Sequence, residues 1–259
     1  MPDLSALRRA ISALERSSAC ERGDLFGFGA PEIDGALGGG IRRGALHEVY
    51  ARKETDSAAA SGFGLCLALR AARDRPLVWA RQDFLDLETG ALHGAGIAAF
   101  GGDPAKILVV RPGDAAGVLR AAGEAARCPA IGAALLEVWG APKTLDLKAS
   151  RRLGLASEKS GVTLVMIRRA AAPEPSAAQS RWSVAAAVST ALQDNAPGRP
   201  AFDIELLRHR SGLPPRAFRL EWDRDSLSFA AAPLSRSVAA VPADRPARPA
   251  GGGLRRRAG

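Results

Sequence analysis

The stretch GGGIRRGALHEVYARKETDSAAASGFGLCLAL, residues Gly38–Leu69, decides the fold. A glycine run leads into a short apolar strand predicted over Ala45–Tyr50. A polar loop over Ala51–Ser57 follows, then an Ala/Leu-rich helix running to about Ala72. Strand, loop and helix in that order are the layout of a phosphate-binding loop, where backbone N–H groups and a helix N-terminus hold an anion. The chemistry of such a loop needs Gly-Lys-Ser/Thr, because the lysine reaches the β- and γ-phosphates and the hydroxyl ligates Mg²⁺. Each of the five lysines here (Lys53, Lys106, Lys143, Lys148, Lys159) follows a residue other than glycine. The frame is that of an ATPase, and the groups that would do the chemistry are missing.

Downstream, apolar strands alternate with helical spacing. Strands are predicted over Leu77–Arg81, Ile107–Val110, Ile131–Trp139 and Val162–Ile167, the last closed by Arg168 and Arg169. Helices are predicted over Glu88–Ala99, Asp114–Arg127 and Asp146–Ser160, with Gly161 as a C-cap. Near-continuous apolar strands separated by helices imply an α/β fold with a mainly parallel sheet covered on both faces. Four further strands follow at short spacing, Trp182–Ser189, Phe202–His209, Ala217–Trp222 and Leu227–Ala231. They read as antiparallel strands appended to the sheet edge.

Upstream, Leu4, Leu7, Ile11 and Leu14 mark an amphipathic helix suited to docking on its own domain or on a neighbour. Residues 17–30 read as a loop, and Pro31–Leu37 as a short helix. The chain is expected to divide into an N-terminal helix and linker (1–30), a core (31–232) and a disordered Arg/Pro-rich tail (233–259). A hydrophobic fraction of 47% supports a packed core. The N-terminal helix pattern excludes a signal peptide, and no apolar run is long enough to span a membrane, so a cytoplasmic location is expected.

The net charge of +9 is unevenly placed: six arginines and one acid give +5 to residues 233–259, leaving +4 for the rest. A mildly basic body argues against a dedicated DNA-binding domain. Cys20, Cys66 and Cys128 have no metal spacing and read as buried free thiols, and the three histidines form no ligand pattern, so no metal site and no cofactor are predicted.

Four sets of residues are candidates for a site. Arg52, Lys53 and Ser57 form either a divergent nucleotide or anion site or a loop of solvated charges, with Glu48, Glu54 and Asp56 nearby to repel triphosphate. Glu137, near the end of an apolar strand, is either a Walker-B-type acid or a carboxylate solvated or paired with arginine. Arg168, Arg169, Arg181, Arg208 and Arg210, at the ends of late strands, can meet DNA phosphates or a partner's carboxylates, or remain solvated. Arg255, Arg256 and Arg257 form an electrostatic anchor or plain polar filler.

The order of blocks from Leu37-GGGIRRGALHEVY through LVWARQDFLDLETGALHGAGIAAFGGDPAKILVV to AIGAALLEVWG is similar to the RecA recombinase core. With the N-terminal LSALRRAISALE, FGFGAPEIDGALGGGIRRGALHEVY, RRLGLASEKSGVTLVMIRR, SRWSV and ELLRHR, the chain resembles the ImuA family over roughly residues 4–230. These are the RecA-like proteins of bacterial mutagenesis cassettes. The resemblance implies a cytoplasmic, DNA-damage-induced (SOS) accessory protein in error-prone translesion synthesis and DNA repair. Its implied partners are ImuB, a polymerase-like protein without catalysis, and an error-prone replicative-type polymerase. Gln82–Asp83 falls in the region of the RecA catalytic glutamate and Glu137 in that of the Walker-B acid, while Ala51–Ser57 replaces the phosphate loop. No catalytic residue is carried over. Beside this non-enzymatic adaptor stand two alternatives, a nucleotide-binding RecA-like ATPase and a single-strand DNA or RecA-filament modulator.

Overall fold

The computed structural model describes residues 25–190 and 198–231. The chain enters through β1 (Leu25–Phe26), α1 (Pro31–Ala36) and β2 (Ile41–Arg42), and β1 and β2 pair as a small antiparallel ribbon. β3 (Leu46–Ala51) leads through a 3₁₀ turn at Glu54–Asp56 into α2 (Ser57–Ala72). Then come β4 (Leu77–Arg81), α3 (Leu85–Thr89), α4 (Gly94–Ala99) and β5 (Ile107–Val110). Next are α5 (Ala115–Ala125), β6 (Ala133–Trp139), α6 (Leu147–Ser160) and β7 (Thr163–Arg169). The chain closes with β8 (Ser180–Ala186), β9 (Ala201–His209), β10 (Arg216–Asp223) and β11 (Ser228–Ala231).

One sheet of nine strands carries the fold, in the order β11-β10-β9-β8-β3-β7-β6-β4-β5. From β8 to β5 all neighbours run parallel, and β9, β10 and β11 continue antiparallel. Side chains of a strand alternate between faces, so each parallel strand feeds two cores. On one face Val49, Leu135, Val165 and Ile167 pack beneath Phe63, Leu65, Cys66 and Leu67 of α2. On the other, Leu46, Ala134, Leu136, Leu164 and Met166 pack beneath Val118 and Ala122 of α5 and Leu153 of α6. Burial on both faces is why these strands read as unbroken apolar runs.

The helix ends follow local chemistry. The Asp114 carboxylate accepts from Gly117 N at 2.7 Å and that of Asp146 from Ala149 N at 2.7 Å, each satisfying a free donor of the first turn. Gly161 takes φ 78° and ends α6 in the left-handed region, as its position in the sequence predicts.

Four expectations need correction. The helix predicted over Glu88–Ala99 is two short helices, because Gly90 at φ 83° breaks the turn after Thr89. Arg168 and Arg169 lie inside β7 rather than beyond it. The strand predicted over Trp182–Ser189 ends at Ala186 and joins β3 in parallel, so the antiparallel part begins at β9. Phe26 and Phe28, assigned to a linker, are buried, and Phe28 packs against Phe63, Trp182 and Phe229 with ring centroids 6.2, 5.5 and 5.4 Å away. Among the described residues no helix is long and apolar enough to cross a membrane. The predicted docking helix (Leu4, Leu7, Ile11, Leu14) and the Arg255–Arg257 tail lie outside the described residues.

Candidate functional site

Parallel strands place their loops at one edge, and ligands of open α/β sheets bind at the carboxyl ends of the strands. The β3–α2 loop sits there. It is short and self-satisfied. Arg52 N donates to Val184 O at 2.8 Å, tying the loop to β8. The Asp56 carboxylate accepts from Lys53 N at 3.2 Å and from Ala186 N at 3.1 Å, so an internal anion bonded to the loop and to β8 stands just before α2. Arg52 and Lys53 are exposed and Ser57 is half-buried. No carboxylate among the described residues pairs with Arg52 or Lys53.

Glu137, near the end of β6, lies on the α2 face of the sheet and is fully buried. Trp79 Nε1 donates to its Oε1 at 3.2 Å, and the Ser61 hydroxyl from α2 donates to the same oxygen at 3.3 Å. Arg169 Nε donates to Oε2 at 3.2 Å, and Arg81 Nε stands 3.6 Å from that oxygen. Arg169 Nη2 also donates to Ser61 Oγ at 2.7 Å, closing a triangle. Arg81 continues outward, with Nη1 3.4 Å from Asp86 Oδ1 and Nη2 donating to Thr89 Oγ1 at 3.1 Å. Arg111 meets the other oxygen of Asp86 at 3.2 Å.

Register creates this cluster. Glu137 pairs with Arg81 on β4 and with Ile167 on β7, two residues before Arg169, which puts all three side chains on one face.

The resemblance to the RecA core implies a Mg²⁺–nucleotide at this end of the sheet, and the residues present do not fit one. A divalent cation needs free carboxylate or hydroxyl oxygens. Both oxygens of Glu137 accept from N–H and O–H donors, the Arg169 guanidinium among them, and the Arg81 guanidinium 3.6 Å away adds a second cation that would repel a metal. No group of three or more His, Cys, Asp or Glu side chains gathers anywhere among the described residues.

A second buried network occupies the opposite face at the same edge. Arg181 Nε donates to Glu48 Oε2 at 2.9 Å, and the Tyr50 hydroxyl donates to that oxygen at 3.3 Å. Arg168 and Arg181, on the strands flanking β3, each place their guanidinium 5.7 Å from the Tyr50 ring centroid in cation–π contact. Arg181 also donates to Glu174 O and to Ser176 Oγ, while Arg168 Nη2 reaches Gly140 O at 3.2 Å. Burial first, then the Glu48 charge, pushes the Tyr50 hydroxyl up to about 12, so it stays a donor.

His47, buried between Ser180 Oγ at 2.7 Å and Arg42 O at 2.8 Å, is pulled down to about 4 by burial. It is therefore neutral, with Nε2–H donating to the carbonyl and Nδ1 accepting from the hydroxyl. Its role is to hold β3 to β8 and to the ribbon.

The predicted arginine set thus divides. Arg168, Arg169 and Arg181 are 2%, 4% and 8% exposed, which corrects their reading as surface charges open to DNA or a partner. Arg169 and Arg181 are held by pairing with the buried carboxylates of Glu137 and Glu48, while Arg168 stands 3.6 Å from the exposed carboxylate of Glu174. Arg208 and Arg210, on β9 and just past its end, are exposed. The two described cysteines also divide: Cys66 is buried, and burial raises its thiol pKa, whereas Cys128 is exposed. Arg81, Ser61 and Trp79 were not singled out from the sequence. Their only signal was an arginine and an indole inside an otherwise apolar strand.

No protein-family model and no curated protein matches the chain. Among solved structures the chain is similar to the crystal structure of the RadB recombinase, with 14% identity and a TM-score of 0.50. The match covers 81% of this chain and 100% of that one. At this identity the likeness speaks for the fold alone: the chain has a RecA-like α/β fold, whose mainly parallel sheet continues into three antiparallel strands at one edge.

Proposed function

We propose that this chain is a non-catalytic RecA-like accessory protein of SOS-induced, error-prone translesion DNA synthesis. It works in the cytoplasm through contacts with an ImuB-type polymerase-like protein and an error-prone replicative-type polymerase. One observation carries the non-catalytic part. At the position where a RecA-like sheet presents its metal-binding acid, Glu137 is bonded to Arg169 and Trp79 and faces Arg81. The β3–α2 loop supports the same reading, since the Asp56 carboxylate stands before α2, bonded to Lys53 N and Ala186 N, and no Gly-Lys-Ser/Thr is present. The assignment to translesion synthesis is supported by the sequence blocks that resemble the ImuA family.

The test is damage-induced mutation frequency in a strain lacking the chain, complemented in trans. Wild type and the Arg52→Ala/Lys53→Ala variant restore mutagenesis equally if the loop charges hold no nucleotide. Loss of mutagenesis in that variant contradicts the non-catalytic reading. Full mutagenesis in the uncomplemented strain removes the accessory role altogether.

A further inference from the structure

We propose that the groove between α6 and the amino-terminal ends of β3 and β8 docks a segment of a partner protein in which acidic side chains flank apolar ones. The proposal rests on reading the chain as a protein-contact module. It concerns the opposite end of the sheet from Glu137. The groove encloses about 420 Å³. One wall is a single stripe of α6, Leu147, Arg151 and Leu155, spaced i, i+4, i+8 and so aligned along one helix face. Leu147 and Leu155 are 54% and 57% exposed, while Leu153 of the same helix turns into the core. The other wall carries Arg208 and Arg210, and Arg208 Nη1 donates to Ala178 O at 3.3 Å, which fixes its direction.

Charge and shape select the occupant. The groove's carboxylate, Glu158, already pairs with Arg42 at 3.0 Å. Arg151, Arg208 and Arg210 meet no carboxylate among the described residues. Guanidinium groups beside an apolar wall favour carboxylates, which they bind in charge-assisted and often bidentate pairs. The two exposed leucines lie about 12 Å apart along the helix axis, enough to seat two apolar side chains of a docked segment. A nucleic acid fits less well. No aromatic ring lines the groove to stack a base, and phosphates gain nothing from the leucines.

The experiment is selection of a random-peptide library on the full chain, with counter-selection on Arg151→Glu/Arg208→Glu. Enriched peptides are expected to carry Asp or Glu next to Leu, Ile or Phe. Their affinity should fall about tenfold or more in Leu155→Ser and in Arg210→Glu, with circular dichroism spectra unchanged. No enrichment, enrichment of basic peptides, or affinity indifferent to these substitutions overturns the proposal. So does binding of single-stranded oligothymidylate that is lost in the same variants when no peptide is enriched, which assigns the groove to nucleic acid. The accessory role is read separately, by mutation frequency in the uncomplemented strain, so either reading can fail while the other stands.

Discussion

At the scale of single residues, Glu137 decides between a metal site and a structural ion pair. Fully buried, it faces two buried guanidinium groups. Removing one partner of a buried ion pair leaves an uncompensated charge, at a cost of about 3–5 kcal/mol. Glu137→Leu is therefore expected to lower unfolding stability by about that much in urea titration. The double variant Glu137→Leu/Arg169→Leu should recover part of the loss, because the two residues couple directly. A Glu137→Leu protein as stable as wild type would mean that the carboxylate is not held by Arg81 and Arg169. Little of this was legible in the sequence. Glu137 is 32 residues from Arg169, and only strand order and register bring them together. The segment IRR at the end of β7 looks like a solvated strand end until β3 and β6 are known to flank it.

At the scale of elements, legibility follows burial. β4, β6 and β7 stand out as apolar runs because α2 covers one face and α5 and α6 the other. α6 was bounded by Asp146 and Gly161, whose capping chemistry is local. The direction of β8 was not readable, since its residues alternate in the same way whether it pairs with β3 or β9. Close approach leaves a fainter trace, an isolated glycine at a strand start. A Cβ on Gly132, just before β6, would lie 2.5 Å from Ala72 Cα at the end of α2. The neighbour is backbone, so α2 itself must move. Gly132→Ala is expected to destabilise by about 1–3 kcal/mol, read as a shift of the urea midpoint at unchanged slope. An unchanged midpoint would show that α2 does not press on β6 as the structure has it.

At the scale of the molecule, the sheet has a RecA-like fold and carries the chain's own ion pairs near the carboxyl ends of its parallel strands. Asp56 stands at the loop, Arg169 and Arg81 at the acid, and Arg168 and Arg181 over Tyr50 on the other face. The parallel α/β class and the late antiparallel strands were predictable from chain order. The ionic filling was not, because it depends on which strands become neighbours. The most direct measurement is thermal unfolding of the full chain with and without millimolar Mg·ATP. A ligand present at 100 times its dissociation constant stabilises by about 2.7 kcal/mol, roughly 5–10 °C for a domain of this size. The account predicts no change in midpoint as Mg·ATP is raised. A saturable rise with concentration, absent with Mg²⁺ alone, would contradict it.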